Sequence, residues 1–225
     1  VDVSCLGAKA NATRPEIEQI LISNIKGVDE DTFERELYVI RRRIEKAVAV
    51  AQVKDFYVCS LSCRSIIYKG MMLAEQVAVF YPDLQDERFE SAFAIYHQRY
   101  STNTFPQWWL AQPFRMLAHN GVINTLKGNG NWMRSHEIRM ASKHFGEYAE
   151  DIKPVIAAGS SVSEALDSVF EVLVRAGRNA PMAKTMLVPE SPNSADMKAP
   201  WLDMYAYCNS VMEPWDGPAA LAMTD

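Results

Sequence analysis

Asn120 and Gly121 are the adjacent residues of this sequence whose types are best suited to chemistry. The side-chain amide of an Asn and the backbone N–H of the following Gly can converge on one oxygen that gains negative charge during a reaction. Glycine also allows a substrate to approach the backbone closely. The plainer interpretation is a turn, because Asn and Gly both tolerate positive φ. The pair therefore predicts either an oxyanion hole or a simple chain reversal.

Arg99 could supply the complementary half of such a site. A guanidinium can bind a carboxylate through two parallel hydrogen bonds, and nearby hydroxyls such as that of Thr102 could assist. A carboxylate-binding Arg beside an oxyanion hole describes a site for an amide or ester of an amino acid. The sequence lacks a G-x-S-x-G nucleophile elbow, a G-x-x-x-x-G-K phosphate loop and an H-E-x-x-H zinc motif.

Two apolar runs, at residues 91–96 and 114–118, lead into these polar residues and are typical of strands. The first run ends at His97, where a dense polar cluster begins, and the second ends at His119. Because both runs deliver polar side chains at one end, we expect a site at the edge of a sheet. Buried donors and acceptors need partners, so this cluster indicates that a molecule binds there.

Further strands and helices are predicted around this pair of runs. Strand-like composition occurs at residues 20–23, 56–61 and 65–68. A capping pattern formed by Asp31 and Glu34 precedes a long helix, and five apolar residues share one of its faces: Phe33, Leu37, Ile40, Ile44 and Val48. The three arginines at positions 41–43 of that helix could bind phosphate, but a solvated helix face is the favoured interpretation.

A second amphipathic helix is predicted between an N-cap at Ser161 or Ser163 and a C-cap near Gly177. Strands and helices are mixed without strict alternation, which predicts α+β layers. The chain opens at Val1, and its last apolar run, residues 219–225, resembles the first strand of a hairpin. We expect the partner of that strand to lie outside this chain, because a lone terminal strand leaves an unpaired edge.

Bulk composition excludes several classes of protein. The chain has 225 residues, with 48% hydrophobic and 23% charged residues, which is ordinary for a globular protein. A net charge of −5 argues against a general nucleic-acid binder. No apolar run approaches the roughly 20 residues of a membrane span. The spacing of Cys59 and Cys63, without a nearby His, does not predict a metal site.

Two motifs lie at the candidate site and three others lie at a distance from it. The first two are residues 97–108 (HQRYSTNTFPQW) and 117–121 (LAHNG), the latter followed by 123–125 (INT). The others are residues 61–70 (LSCRSIIYKG), 166–177 (LDSVFEVLVRAG) and 212–218 (MEPWDGP). Together they resemble the glutamine amidotransferase domain of glutamate synthase large chains, over essentially the whole chain.

The resemblance implies one domain over residues 1–225. Its fold would be the four-layer αββα sandwich of the N-terminal nucleophile hydrolases, an α+β class, incomplete at both ends. In that family an N-terminal cysteine attacks the side-chain amide of glutamine, and its own α-amine is the general base. Carried over to this sequence, Asn120 and Gly121 form the oxyanion hole, while Arg99, with Thr102 beside it, binds the α-carboxylate of the substrate.

The resemblance also implies partners and a cellular context. The ligands would be L-glutamine and L-glutamate, and the released ammonia would pass to 2-oxoglutarate in synthase domains of the same parent chain. Those domains would hold FMN and an iron–sulfur cluster, with no cofactor or metal in the present residues. Neither a nucleic acid nor a membrane is expected as a partner. The location would be cytoplasmic, or plastid in a photosynthetic eukaryote.

Several residues depart from the family pattern. Residue 1 is Val, so the attacking cysteine is absent, and Cys5 lies in a context unlike the cysteine–glycine start of the family. Val162 stands where the family carries an Asp that pairs with the substrate ammonium, and Val122 replaces an acidic residue. Gly130 replaces an Arg. We therefore expect this chain to lack glutaminase activity and to bind glutamine weakly, because a desolvated charge loses its partner.

Two alternatives remain beside this interpretation. The chain could be a degenerate amidotransferase-like module that binds glutamine or glutamate, or that only packs against partner domains. It could instead resemble enzymes that hydrolyse another amide, such as asparagine synthetase or phosphoribosyl amidotransferase. The stretches 105–108 and 212–218 favour glutamate synthase over that second alternative.

Overall fold

Helices form most of the regular structure in the computed structural model, which describes residues 1–98, 105–190 and 197–225. Arg99 and Thr102 of the predicted site lie outside the described residues. The helices are α1 (Ala8–Ala12), α2 (Glu30–Val50), α3 (Val77–Phe80), α4 (Lys127–Glu137), α5 (Val162–Arg175), α6 (Ala180–Leu187) and α7 (Ala199–Val211). Two strands, β1 (Leu117–Gly121) and β2 (Ala219–Met223), complete a mixed α/β arrangement.

The long helix α2 is confirmed, but its predicted buried face is correct only in part. Its N-cap is Asp29 and not the predicted Asp31, which lies in the first turn: Asp29 accepts a hydrogen bond from the backbone N–H of Thr32 at 2.9 Å. Ile40 and Ile44 are exposed, whereas Leu37 is buried together with the neighbouring Tyr38 and two charged residues. The apolar pattern predicted a face that is rotated about the helix axis relative to the observed one. The observed buried face includes charged side chains, which an apolar pattern leaves out.

Those charged residues are Glu34 and Arg41, and both pair with helix α5. Arg41 is only 2% exposed and lies 2.5 Å from the carboxylate of Glu171. Glu34 is 1% exposed and lies 2.7 Å from the guanidinium of Arg175. The interpretation of residues 41–43 as a solvated face is therefore wrong for Arg41. Two buried ion pairs bind α2 to α5.

Helix α5 is confirmed with the predicted cap, since the hydroxyl of Ser161 accepts a hydrogen bond from the N–H of Glu164 at 3.2 Å. Its buried apolar residues, including Leu166 and Phe170, join Leu117 of β1 and Trp215 in the larger hydrophobic core. A smaller core around Phe80, Tyr81 and Trp108 lies elsewhere in the chain. No helix within the described ranges is long and apolar enough to cross a membrane.

The final strand has a partner within the chain, which corrects the expectation drawn from the sequence. β2 pairs antiparallel with β1, so that Leu117 lies opposite Met223 and Gly121 lies opposite Ala219. The position of Asn120 and Gly121 is therefore fixed by their pairing with β2. About 100 residues separate the two strands, so no hairpin turn in the sequence predicts their pairing.

The other predicted strands form no ladder. Around residues 56–68, side chains form hydrogen bonds with the backbone groups that a neighbouring strand would otherwise bind. Arg115 donates to the carbonyl of Val58 at 2.9 Å, and the N–H of Ile67 donates to the hydroxyl of Ser60 at 3.3 Å. Residues 20–23 are exposed coil, with Leu21 98% exposed, and residues 91–96 also lie outside any strand.

Candidate active site

On its edge away from β2, strand β1 is held at both ends by side chains. At its start, the fully buried carboxylate of Asp167 accepts hydrogen bonds from the N–H groups of Met116 at 2.8 Å and Arg115 at 3.3 Å. Further along, the side-chain amide of Gln112 accepts from the N–H of His119 at 2.6 Å and donates to its carbonyl at 2.7 Å. The amide of Gln112 thus takes the place of a neighbouring strand.

Gly121 is required at the end of β1 for two reasons. Its φ of +102° lies in the left-handed region, and a Cβ at this position would collide with the carbonyl oxygen of Pro218. The same holds for Gly217 in the neighbouring segment of the chain: its φ is +148°, and a Cβ there would collide with the carbonyl oxygen of Val122. The segments around Gly121 and Gly217 approach each other too closely for either residue to carry a side chain. Their contact fixes the backbone at the end of β1, where the N–H of Val122 donates to the carbonyl of Pro218 at 3.2 Å.

The segment after Gly121 is supported by the stretch 212–218. The N–H of Asn124 donates to the carbonyl of Asp216 at 2.7 Å. In α4, the fully buried side chain of Asn129 donates to the carbonyl of Glu213 at 2.7 Å. The distant motif 212–218 therefore has a structural role, because it supports the segment that follows the candidate oxyanion hole.

A cavity of about 850 Å³ opens where β1 ends. Gly121 contributes to its wall, together with the first residues of α5 and parts of the chain near residues 7–10, 70–73 and 97–98. The side chain of Asn120 is exposed and is not among the lining residues. The structure thus brings Gly121 to the cavity but not the amide of Asn120. His97 and Gln98, which precede Arg99 in sequence, also border the cavity.

His119 connects β1 to the first turn of α5. Its Nδ1 shares a hydrogen bond of 2.8 Å with the hydroxyl of Ser163, and both residues border the cavity. Burial lowers the pKa of His119, and the nearby imidazole of His97 lowers it further. His119 is therefore neutral near pH 7. Its ring fixes the end of β1 relative to α5 without adding charge to the cavity.

The three departures from the family pattern have different surroundings. Val122 and Val162 both border the cavity, where they contribute methyl groups. Gly130 lies inside α4, and a Cβ there would meet no atom within 4 Å, so a larger side chain would fit. Asp167 cannot replace the carboxylate missing at position 162, because its oxygens accept backbone hydrogen bonds inside the core.

None of the cavity residues in the described ranges is a cysteine. Cys5 is partly buried, and its thiol lies 3.5 Å from the carbonyl of Asp2. Burial, together with hydrogen bonding and charge from Glu34, raises the pKa of Cys63 to about 11, which disfavours a thiolate. Within the described ranges, no group of three or more His, Cys, Asp or Glu side chains could hold a metal ion.

Two supporting residues, Gln112 and His119, were not assigned a role from the sequence, and Ser163 was considered only as a possible helix cap. His119 stands beside Asn120 in the predicted motif, and its position on a strand was the one available signal. Nothing in the sequence pairs Gln112 with a backbone seven residues later, or Ser163 with a ring 44 residues earlier. The motif thus contains the candidate residues, while their support depends on contacts that the sequence does not display.

Comparison with known proteins identifies the family of this chain. A family model described as glutamine amidotransferases class-II matches residues 1–225. The chain is 67% identical to the glutamate synthase [NADPH] large chain of Azospirillum brasilense and 47% identical to that of Bacillus subtilis, with 100% of the chain and 15% of each relative covered. It is 46% identical to the chloroplastic ferredoxin-dependent glutamate synthase of Oryza sativa subsp. japonica, with 100% of the chain and 14% of that protein covered.

The chain spans about 15% of the length of these relatives. The match of the family model over every residue, together with the glycine-bounded end of β1 at the cavity, establishes the relationship. This protein belongs to the class-II glutamine amidotransferases.

Proposed function

We propose that residues 1–225 form one domain, the glutaminase part of a glutamate synthase. In this role the domain binds L-glutamine, and the complete site hydrolyses its side-chain amide to L-glutamate. The ammonia passes to 2-oxoglutarate in synthase domains of the same parent chain. The observation that carries the proposal is Gly121, whose positive φ presents the strand end to the cavity of about 850 Å³.

The proposed roles follow from the chemistry of each side chain. Gly121 provides a backbone N–H for the developing oxyanion, and the exposed amide of Asn120 turns toward the same oxygen when substrate binds. Arg99, with Thr102, binds the α-carboxylate. Two bordering residues, His97 and Gln98, support this role for Arg99 because they bring the chain to the cavity just before it. His119 acts as a positioning residue through Ser163.

The polypeptide from Val1 to Asp225 has no turnover of its own in this proposal. The family reaction needs a thiol and a free α-amine on one N-terminal cysteine, and here residue 1 is Val. The cysteines in the described ranges do not border the cavity. The polypeptide therefore retains a binding site without an attacking group.

The finer features of fold and context are part of the same proposal. The antiparallel pair β1–β2 is one portion of a four-layer αββα sandwich. FMN and the iron–sulfur cluster belong to other domains of the parent enzyme, and NADPH or ferredoxin, which appear in the names of the relatives, would supply electrons there. The domain functions in the cytoplasm or, in a photosynthetic eukaryote, in the plastid.

Ligand-induced thermal stabilisation tests the proposal. L-glutamine or L-glutamate should raise the melting temperature of the purified polypeptide, and Arg99→Ala should abolish the rise, because the α-carboxylate loses its partner. Arg88→Ala is the matched control, since Arg88 is exposed, pairs only with Asp86 in the described structure and does not border the cavity.

Two results would contradict the proposal. One is a rise in melting temperature that survives Arg99→Ala, since the predicted carboxylate contact would then be wrong. The other is steady release of glutamate from L-glutamine by the purified polypeptide that Asn120→Ala abolishes, since turnover would then not require the missing cysteine.

A degenerate binding or structural module is the second candidate function. The two valines at the cavity wall favour it, because they leave the described wall without a carboxylate. If the fold is retained but neither glutamine nor glutamate changes the melting temperature, the domain serves only to pack against its neighbours.

A further inference from the structure

Lys69 is a buried cation that lies directly behind the wall of the cavity. It is only 6% exposed and does not itself border the cavity, whereas the next residue, Gly70, does. The carbonyl of Lys69 accepts a hydrogen bond of 2.7 Å from the hydroxyl of the buried Tyr81. At Gly70 a side chain would collide with the ring of Trp108. The backbone that carries Lys69 is therefore held in place from two sides.

The ammonium of Lys69 contacts three neighbouring residues. Its Nζ donates a hydrogen bond of 2.7 Å to the carbonyl of Trp109. It also lies 4.5 Å from the ring centroid of Tyr57 and 4.8 Å from that of Phe114, within the range of cation–π attraction. The rings of Tyr57 and Trp109 are themselves in contact, with their centroids 5.8 Å apart. One charge thus joins three separate parts of the chain.

Two of these contacts act on residues that form the wall of the cavity. Phe114 borders the cavity, as do residues 110–112, which directly follow Trp109. Among them, Gln112 binds the backbone of His119 near the end of β1. A shift of this segment would therefore change the wall and the support of β1 together.

The charge of Lys69 changes within the pH range of ordinary buffers. Burial, together with the guanidinium of Arg115, lowers the pKa of Lys69 to about 8, whereas Cys59, Glu164 and Asp167 oppose the shift. Below pH 8 the side chain is an ammonium and attracts both aromatic rings. Above pH 8 the neutral amine can still donate to the carbonyl, but the attraction to the rings is lost.

We propose that Lys69 is a positioning residue of the cavity: its ammonium fixes Phe114 and residues 109–112 and thereby maintains the shape that L-glutamine requires. Lys69 makes no contact with the substrate in this role, because it reaches the cavity only through these neighbours. The inference rests on the proposed function for the identity of the ligand, but not for the contacts of the ammonium.

Isothermal titration of the purified 225-residue polypeptide with L-glutamine, from about pH 6.5 to about pH 9, tests this role. The unmodified chain is compared with Lys69→Met at each pH, which cancels the titration of the ligand's own amino group. Below pH 8 the variant should bind about tenfold more weakly, because the charge that holds both rings is gone. The difference should disappear above pH 8, where Lys69 itself is neutral.

The matched control is Lys153→Met. The side chain of Lys153 is 17% exposed and pairs with Glu150, and it does not border the cavity. Its dissociation constant should equal that of the unmodified chain at every pH. Lys69→Arg is a second variant in case Lys69→Met does not fold. An Arg keeps its charge throughout, so the loss of affinity near pH 8 should be absent, and retention of that loss would overturn the inference.

Near-ultraviolet circular dichroism without ligand provides a second measurement. The spectrum of the unmodified chain should change with a midpoint near pH 8, because Tyr57 and Phe114 then lose the adjacent charge. The spectrum of Lys69→Met should not show this change. Far-ultraviolet spectra establish that each variant retains its fold.

The possible outcomes separate this inference from the proposed function. Equal binding of L-glutamine by the unmodified chain and by folded Lys69→Met at every pH would overturn the inference and leave the proposed function intact. A difference that persists unchanged above pH 8 would also overturn it, because the side chain would then act by packing and not by charge. If no variant binds L-glutamine, the proposed function fails and circular dichroism decides the inference. A midpoint near pH 8 that Lys69→Met lacks supports it, and identical pH profiles overturn it.

Discussion

Single residues fix the geometry of the site more than their chemical types suggest. The pair Asn120–Gly121 allows two interpretations in the sequence, a turn or an oxyanion hole. The structure places Gly121 at the end of a strand, with positive φ and a carbonyl oxygen against its Cα, so glycine is required sterically whatever its chemistry. The steric need for glycine and its proposed role in the oxyanion hole therefore coincide at this one position.

Gly121→Ala should lower the free energy of unfolding by at least about 2 kcal/mol. An Ala would combine an unfavourable φ with a collision against the carbonyl of Pro218. Gly130→Ala is the matched control, because Gly130 lies inside α4 with open space around its Cα. That substitution should stabilise the protein by roughly 0.5–1 kcal/mol. Urea unfolding measures both changes, and equal effects of the two substitutions would contradict the argument.

The residue types of the site could be predicted from the sequence, but their supports could not. Asn120 and Gly121 are recognisable because their types and order suit one kind of chemistry. Gln112 has no such signature, since a Gln before a Pro indicates nothing about a strand. Its role arises only when the chain folds back so that its amide meets the backbone of His119.

Among the helices, too, local features could be predicted from the sequence, whereas contacts with distant residues could not. Periodicity and capping predicted that α2 and α5 exist, because both signals act over a few residues. The buried face of α2 was predicted only in part. Arg41 pairs with Glu45 one turn along the helix, but it is buried through its second partner, Glu171, which lies 130 residues later. A charged residue counts as solvent-facing until its partner is known, and a local pattern cannot identify that partner.

Arg41→Met should lower the free energy of unfolding by about 3–5 kcal/mol, because Glu171 would remain buried without its partner. Adding Glu171→Gln should cost less than the sum of the single substitutions, since the uncompensated charge disappears. Lys26→Met is the control: its pair with Glu36 is exposed, so the change should stay within about 0.5 kcal/mol. Strictly additive effects of Arg41→Met and Glu171→Gln in chemical denaturation would refute this coupling.

At the scale of the whole molecule, the site depends on the last strand. Strand β2 fixes β1, and the loop before β2 supports the segment after Gly121. The sequence identified an apolar run at its end but not its partner, because pairing between distant strands leaves no local trace. The pairing of β1 with β2 could therefore be learned only from the structure.

Deletion of residues 219–225 should destabilise the protein by roughly 3 kcal/mol or more. Leu221 and Met223 are partly buried against the larger core, where full burial of such a side chain contributes about 1.5–3 kcal/mol, and the hydrogen bonds of the β1–β2 ladder are lost as well. The exposed edge of β1 should also promote association between copies. Thermal unfolding and size-exclusion chromatography measure the two effects. Deletion of Asp225 alone, which leaves the ladder intact, should change neither; a fully stable, monomeric 218-residue variant would rule out this dependence.

The amide of Gln112 has a consequence for how this sheet can grow. On the side of β1 away from β2, Gln112 occupies the backbone of His119, and the N–H of Phe114 donates to the carbonyl of Leu117 at 2.8 Å. This is why residues 91–96 do not pair with β1 as expected. In the described structure these contacts oppose the addition of a further strand to this edge of β1, and they shield the strand that carries the candidate oxyanion hole from strand exchange there.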